Sequence, residues 1–354
     1  MTTGAGHSRQ QRAGRAERPP TGSDVAREAG VSPSTVSRAL NGSGYAAPEV
    51  RARVLAAAAR IGYVPDANAR TLRNRSSRSI GVLISDLRNP FYADLAAGIE
   101  QVLRAAGHHM ILVNDDGRAD EELLAVQTFV AMRVPGVIVT PVSARAIRSL
   151  HQHGVQVVQA DRRVSTRYGD AVLGADETGA ELVTAHLLGL GHRRIALLID
   201  ETKWTTGAGR LAGFRAAHAA AGVPVDEELV AFTSFDAEAA SGTLGRLLDD
   251  HPDVTAVFAA NNVLAQGALQ EIQRRGIDVP GQLSLAAYDD VPWMSMVRPA
   301  LTTVSQHTVG FGRRCAQVLL GRLATATEGG AARPSVTTIE PELLIRDSTA
   351  PPPA

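Results

Sequence analysis

The sequence contains a single cysteine, Cys315, among its 354 residues. One cysteine cannot form a disulfide within the chain, and it cannot supply the several thiolates of a cysteine metal cluster. A chain of this length can bury a hydrophobic core without such covalent support. We therefore expect a reducing, cytoplasmic location and neither a disulfide framework nor a cysteine metal centre.

Long hydrophobic runs are also missing. Hydrophobic residues make up 44% of the chain, but no apolar run approaches the roughly 18 residues that span a bilayer. The first 18 residues are polar, rich in glycine and arginine, and without the apolar segment of a secretory signal. The sequence thus predicts a protein that is not exported and has no membrane partner.

The common motifs of catalysis and cofactor binding are absent as well. No Gly-x-Gly-x-x-Gly follows an opening strand, since Gly42-Ser43-Gly44 lies in a turn and lacks the third glycine. The sequence has no Walker phosphate loop, no nucleophile elbow and no His/Glu metal spacing. We predict no catalytic residues, no cofactor and no metal site, and hence a protein that is not an enzyme.

The net charge of the chain is zero, but its basic and acidic residues are unevenly distributed along the sequence. Residues 1–79 contain thirteen arginines and five acids, a net charge of +8, so the remainder carries −8. A basic segment of this size is typical of nucleic-acid contact, because it neutralises backbone phosphates. The N-terminal part of the chain is therefore the candidate DNA-binding part.

Three short helical patterns follow one another within this basic segment. The first runs from Asp24 to Ala29 and stops at Gly30, the second begins with the cap and proline pair Ser32-Pro33, and the third begins at Pro48. Ala47 stands where a Ser or Thr cap is expected, which costs about 1 kcal/mol. Helices of this length and spacing are typical of a helix-turn-helix unit.

The second helical pattern has one apolar face and one polar face. Val36 and Leu40 anchor it inward, which leaves an outer face near its N-terminal end formed by Pro33, Ser34, Ser37 and Arg38. A recognition helix meets base edges there, and an arginine can bond a guanine through two N–H groups. The alternative is a three-helix bundle whose basic surface is merely solvated.

From residue 80 onward, apolar strand patterns alternate with helical patterns in two similar series. The predicted strands lie at residues 80–84, 110–113, 137–140, 155–158, 195–199, 229–232, 254–258 and 283–287. Continuous apolar strands alternating with helices predict parallel sheets covered on both faces. Two series predict two lobes, with a ligand cleft at the carboxyl ends of the strands. The last twenty-odd residues show no such pattern and are predicted to be frayed.

The chain from Thr21 to about Ile345 resembles the lactose-repressor (LacI/GalR) family of bacterial transcriptional regulators. The motifs that carry the resemblance are the run at residues 24–41, Asn89-Pro90-Phe91-Tyr92, Gly191-His192-Arg193-Arg194-Ile195-Ala196, Arg210-Leu211-Ala212-Gly213-Phe214 and Tyr288-Asp289-Asp290. The resemblance implies an all-α helix-turn-helix head and an α/β, two-lobed, periplasmic-binding-protein-like core with parallel sheets. It divides the chain into a disordered tail (1–18), a DNA-binding domain (19–65), a hinge helix or linker (66–79), an effector-binding and dimerisation core (80–346) and a disordered tail (347–354).

The resemblance also implies which residues of the head contact DNA. Pro33, Ser34 and Arg38 match the base-reading positions, and Leu72 matches the side chain that wedges into the minor groove. Residues that would contact the DNA backbone or position the helices are Thr21, Ser32, Thr35, Ser37, Asn41, Tyr45, Asn68 and Arg73. The sequence departs from the family at Gly22, where Leu or Ile is usual, which predicts a looser head.

In the core, the resemblance implies a set of effector contacts at the strand ends. They are Phe91, Tyr92, Asp161, Arg162, Arg210, Phe235, Asn261 and Asp289. Carboxylates, amides and guanidinium groups suit vicinal hydroxyls, and a flat aromatic ring suits the C–H face of a sugar. The two arginines would also admit an anionic sugar derivative. Asn262 replaces the Asp that is usual in the family, and His192 is predicted to be a structural turn residue.

Together these features predict a sequence-specific transcriptional repressor whose affinity for DNA is controlled by a small molecule, with a sugar or sugar derivative favoured. A hinge that folds on two adjacent chains implies a homodimer and a near-palindromic operator in double-stranded DNA. An activator or a corepressor-dependent repressor remains an alternative. A sugar-binding transport component would fit the two lobes, but the head and the missing export signal disfavour it.

Overall fold

The computed structural model describes residues 18–41, 45–63, 77–327 and 333–353. The chain divides into two compact units, Met1–Ser76 and Ser77–Ala354. The predicted tail at residues 1–17 and most of the predicted hinge, including Asn68, Leu72 and Arg73, lie outside the described residues.

Within residues 18–41 and 45–63, the first unit has three short helices around a small core. They are α1 (Gly22–Ala29), α2 (Pro33–Asn41) and α3 (Pro48–Arg60). The buried residues that join them are Val25, Ala26, Ala29, Val36, Ala39, Val54, Ala57 and Ala58. Small side chains dominate this core, so the three helices pack closely.

The helix ends explain where the helices begin and stop. Thr21 caps α1 through a capping box, in which its hydroxyl accepts from the backbone N–H of Asp24 at 3.4 Å and its backbone N–H donates to the Asp24 carboxylate at 2.9 Å. The Thr21 hydroxyl also donates to that carboxylate at 2.7 Å. These bonds lower the pKa of Asp24 to about 2. The helix therefore begins two residues earlier than its pattern predicted. Gly30 ends it with φ 64°, and Ala47 gives α3 no side-chain cap.

The first lobe of the second unit is a six-stranded sheet covered by helices. Its elements are β1 (Ser79–Ile84), α4 (Pro90–Ala105), β2 (His109–Asn114), α5 (Ala119–Ala131), β3 (Gly136–Val139), α6 (Ala144–Gln152), β4 (Gln156–Asp161), β5 (Asp170–Gly174), α12 (Thr308–Thr327) and β11 (Val336–Ile339). The strand order is β11-β5-β4-β3-β1-β2, and every pair is parallel. Strands β1, β3 and β4 are almost wholly buried, as their continuous apolar sequences require.

The second lobe repeats this plan. Its elements are α7 (Asp176–Gly189), β6 (Ile195–Ile199), α8 (Thr205–Ala220), β7 (Val230–Phe232), α9 (Ala237–Asp250), β8 (Ala256–Ala259), α10 (Asn262–Arg275), β9 (Ser284–Tyr288), α11 (Pro292–Met296), β10 (Thr302–Ser305) and β12 (Glu342–Leu344). The strand order is β12-β10-β9-β8-β6-β7. Only β12, in this sheet, runs antiparallel to its neighbour, a departure from the predicted parallel sheets.

The chain passes between the lobes three times, at β5 to α7, at β10 to α12 and at β11 to β12. Helix α12 thus returns to the first lobe and packs on α4. Gly98 permits their close approach, because a side-chain carbon there would collide with the carbonyl oxygen of Val309. Both lobes therefore contain residues from distant parts of the sequence.

The C-terminal segment corrects one prediction. We expected a disordered tail at residues 347–354, but residues 347–353 pack on the second lobe, where Ser348 is fully buried. Its hydroxyl accepts from the backbone N–H of Thr302 at 2.8 Å, and its carbonyl accepts from the N–H of Leu285 at 2.9 Å. The tail is ordered because it satisfies backbone groups of two strands. None of the helices in the described part of the chain is long and apolar enough to cross a membrane.

Candidate functional site

The outer face of α2 presents small hydroxyls and one guanidinium group. Ser32, Pro33, Ser34 and Arg38 are exposed. The Ser32 hydroxyl accepts from the backbone N–H of Thr35 at 3.2 Å and so begins the helix. Arg38 folds back along the helix, where its Nε donates to the Ser34 carbonyl at 3.4 Å. The predicted base-reading residues thus share one accessible face.

The other described head residues differ in exposure. Tyr45 is 85% exposed, whereas Thr35 and Ser37 are half-buried. Thr21 is also half-buried, and its hydroxyl is occupied by Asp24 in the capping box. Contact between Thr21 and DNA would therefore compete with the cap.

A cavity of about 360 Å³ lies between the two lobes of the second unit, at the carboxyl ends of the strands. All eight predicted effector contacts line it: Phe91, Tyr92, Asp161, Arg162, Arg210, Phe235, Asn261 and Asp289. These residues are up to 198 positions apart in sequence, so the topology of the two sheets brings them together. A volume of this size is at the small end for ligand pockets.

In the first lobe, the wall of the cavity is built around Arg162. Its Nη2 donates to the Ser85 hydroxyl at 3.0 Å and to the Tyr92 hydroxyl at 2.8 Å. Its guanidinium carbon lies 4.9 Å from the centroid of the Trp204 ring, which belongs to the second lobe. The charge of Arg162 is therefore directed toward protein groups, which include the Asp161 carboxylate at 3.8 Å.

In the second lobe, Arg210 has a similar role. Its Nε donates to the Asp176 carboxylate at 2.8 Å, and its Nη1 donates to the Ala260 carbonyl at 2.7 Å. Its guanidinium carbon lies 3.9 Å from the centre of the Tyr288 ring. The neighbouring carboxylates hold the pKa of Arg210 above its ordinary value although burial opposes this. The ion pair with Asp176 is fully enclosed, with both side chains less than a tenth exposed.

Two aspartates occupy corresponding positions in the two lobes. Asp161 ends β4 and Asp289 follows β9, and both have φ 68°. Left-handed backbone is unusual for a residue with a side chain, although Asp tolerates it better than most, and such strain is concentrated at functional sites. Burial raises the pKa of Asp161 to about 6. Asp289 accepts from the Gln306 amide at 2.7 Å.

The remaining predicted contacts differ in what they can offer a ligand. Asn261 caps α10, and its side-chain oxygen accepts from the N–H groups of Val263 and Leu264 at 3.0 and 2.9 Å. Any ligand contact of Asn261 would thus use its amide N–H groups. Phe91 is buried, whereas Phe235 is 43% exposed in the loop before α9.

Sequence reasoning missed several residues that line the cavity. They include Ser85, Asn89, Asp200, Trp204 and Gln306. Trp204 directly precedes α8, close in sequence to Arg210, and could have been found by extending that motif backward. Gln306 could not, because it lies in a passage between lobes that the sequence did not reveal.

His192 lies outside this cavity lining. Its ring is 1% exposed and contacts the Thr255 hydroxyl at 2.8 Å and the Ala350 carbonyl at 2.9 Å. This structural position matches the prediction for it. The described residues contain no group of three or more His, Cys, Asp or Glu side chains that could hold a metal ion.

Two family models match the chain. Residues 22–66 match the model for bacterial regulatory proteins of the lacI family, and residues 184–349 match that for a periplasmic binding protein-like domain. The ribose operon repressor of Haemophilus influenzae is 30% identical over 328 residues, which cover 92% of this chain and 97% of that protein. The regulator DegA of Bacillus subtilis is 32% identical over 333 residues, covering 93% and 97%.

Solved structures of transcriptional regulators are similar too. A complex of the transcriptional regulator CelR with cellobiose superposes with a TM-score of 0.71 at 29% identity, and covers 93% of this chain and 99% of that one. The lac repressor dimer bound to operator and the anti-inducer ONPF gives a TM-score of 0.81 at 27% identity, and covers 94% and 100%.

Proposed function

The chain belongs to the lacI family of bacterial regulatory proteins, and we propose that it is a transcriptional repressor released from its operator by a small neutral carbohydrate. The observation that carries the proposal is the cavity between the lobes, in which both arginines are already bonded to protein groups while carboxylates remain available. The protein acts by binding and not by catalysis, and it works in the cytoplasm, where its DNA is.

The pairing of charges selects against an anionic ligand. Arg162 and Arg210 are engaged as described above, Arg88 pairs with Asp86, and Lys203 pairs with Glu201. By contrast, Asp200 and Asp289 have no ion pair within the described ranges. A phosphate or carboxylate would have to displace an existing partner of an arginine and approach the carboxylates of Asp200 and Asp289, at a cost that burial increases.

The same groups suit the hydroxyls of a sugar. Asp161 and Asp289 can each accept two O–H donors, and the Asn261 amide can donate. The ring of Phe235 offers a flat surface for C–H groups. The names of two similar proteins agree with this class, since one is a ribose operon repressor and the other was solved as a complex with cellobiose.

Control of DNA affinity requires that the ligand bind one arrangement of the lobes better than the other. We propose that closure around the sugar weakens operator binding by a homodimer, whose two heads read a near-palindromic site. In this scheme Pro33, Ser34 and Arg38 read bases, and Leu72 wedges into the minor groove. The accessible face of α2 supports the first assignment.

Paired ligands test the charge argument directly. Thermal unfolding of the full-length chain is followed with ribose and ribose 5-phosphate, and with glucose, glucose 6-phosphate and gluconate. We expect at least one neutral sugar to stabilise the protein, by about 2.7 kcal/mol at 100 times its Kd, and its anionic partner to have no effect. Stabilisation by the anionic members alone would overturn the proposed ligand class.

A selection experiment tests the DNA half of the proposal. The full-length chain is incubated with a random duplex library at moderate salt, and the bound pool is sequenced. We expect an enriched near-palindromic site from which the stabilising sugar releases the protein. Enrichment that the sugar increases would make it a corepressor, and no enrichment at all would contradict the proposal.

A further inference from the structure

Asn89 and Asn262 form a reciprocal amide pair across the two lobes. The Asn262 Nδ2 donates to the Asn89 Oδ1 at 2.7 Å, and the Asn89 Nδ2 donates to the Asn262 Oδ1 at 3.2 Å. The two residues are 173 positions apart in sequence, and they are 5% and 3% exposed. A pair of buried amides that satisfy each other is a specific contact, since either one alone would leave polar groups without water or partner.

Each amide is held in place by its own lobe. Asn89 caps α4, and its Oδ1 also accepts from the backbone N–H of Phe91 at 3.0 Å. Asn262 is the first residue of α10, and its backbone N–H donates to the Asp289 carboxylate at 3.4 Å. The pair therefore joins the starts of two helices, one from each lobe, beside the ligand cavity.

We propose that this amide pair is a latch that holds the lobes closed and sets the balance between closed and open forms. Apart from the three chain passages, the lobes also meet where Arg162 stacks on Trp204 and where the N–H of Arg163 donates to the Thr205 hydroxyl at 3.3 Å. Arg162 and Trp204 line the cavity, so a ligand can alter their contact. The two amides bond each other and Asn89 also bonds the backbone, so the pair favours the closed form without a ligand.

The chemistry of the latch explains why residue 262 is Asn in this chain. A carboxylate at this position could accept one bond from Asn89 but could not return one. It would also place a second negative charge beside Asp289. The closed form would then lose one of its two bonds between the amides and gain a repulsion.

Trp204 provides a direct readout of closure. The chain has two tryptophans, Trp204 and Trp293, so Trp293→Phe leaves Trp204 alone. Trp204 is covered by Arg162 of the other lobe, so acrylamide quenching of its fluorescence should rise as the lobes open. The assay contains neither ligand nor DNA, so its failure is distinct from a failure of the proposed function.

A double-mutant cycle in this background tests whether the two amides act on each other. Asn89→Asp and Asn262→Asp each retain one hydrogen bond between the two side chains, whereas the double variant places two carboxylates in contact with no donor. We expect the double variant to be quenched far more than the single effects predict, with a coupling of about tenfold in the open-to-closed ratio. Ala93→Asp adds the same charge at an exposed position of α4 and should leave quenching unchanged.

A second cycle with smaller residues covers the case in which two carboxylates prevent folding. Asn89→Ser keeps a capping hydroxyl but cannot reach Asn262, and Asn262→Ser cannot reach Asn89. Each single serine variant should raise quenching, and the double should add nothing, because either change alone removes both bonds. Additive effects in either cycle, or unchanged quenching in folded variants as judged by circular dichroism, would overturn the latch.

Discussion

The Asp161→Asn variant should stabilise the protein at neutral pH while it removes a ligand contact. The pKa of Asp161 rises from 3.8 to about 6 because the carboxyl is buried. The folded state therefore binds a proton more tightly than the unfolded state does. Stability from this group is fully present below pH 4 and is lost as pH rises from about 4 to about 6.

The size of the effect follows from the pKa shift. At 1.36 kcal/mol for each pKa unit, a shift of about two units corresponds to a cost of about 3 kcal/mol above pH 6. Asparagine tolerates the φ of 68° at this position, so the substitution adds little strain. The shift already includes the attraction of Arg162 at 3.8 Å, so the expected gain is about 3 kcal/mol, or about 6 °C in the melting temperature of the core.

Thermal unfolding of wild type and variant between pH 4 and pH 8 measures this gain. We expect equal melting temperatures near pH 4 and a widening difference up to about pH 6, after which it stays constant. Asp289→Asn is the matched control, because Asp289 has the same φ but accepts bonds from Gln306 and Asn262, so its loss should not stabilise. A gain from Asp161→Asn that is already complete at pH 4, or no gain at pH 7.5, would refute the reasoning.

Two further substitutions and one truncation test other features of the protein. Arg38→Ala should weaken binding to the selected operator by about 1–3 kcal/mol and relax one base position; an equal loss on every sequence, seen in bandshift titrations, would make Arg38 a phosphate contact only. Leu72→Ala should abolish specific binding while salt-sensitive binding to random DNA persists, and an unchanged specific Kd would refute the wedge. Truncation after Arg346 should lower the melting temperature of the core, because the backbone N–H groups of Thr302 and Leu285 lose their bonds to Ser348. An unchanged melting temperature would mean that the tail does not stabilise the second lobe.

The sequence predicted the strands that contain continuous apolar runs. All eight predicted strands are present within a few residues of their expected bounds, because continuous buried strands leave an unmistakable run of hydrophobic residues. Of the missed strands, β5 and β10 contain polar residues, and β11 and β12 have exposed or half-buried residues. Their pairing depends on neighbours far away in sequence, which periodicity does not report.

The sequence predicted which residues line the cavity, but not which partners the charged side chains have there. All eight expected residues line it, because they end strands or begin helices that a two-lobed fold brings to one edge. The sequence could not show that Arg162 is bonded to Ser85 and Tyr92, or that Arg210 is bonded to Asp176. The proposed neutral ligand rests on those bonds between distant residues, because they engage the two arginines with groups of the protein. Likewise, the sequence did not explain why residue 262 is Asn where the family usually has Asp. Its contact with Asn89 provides an explanation.

We propose that a sugar bound between the lobes controls the affinity of the head for DNA. The most direct measurement is the affinity of the full-length chain for its selected duplex against random competitor, with and without the stabilising sugar. We predict a preference of about a thousandfold or more without sugar, and a loss of at least about tenfold in specific affinity when the sugar is saturating. An equal affinity for selected and random duplexes in both conditions would contradict the account.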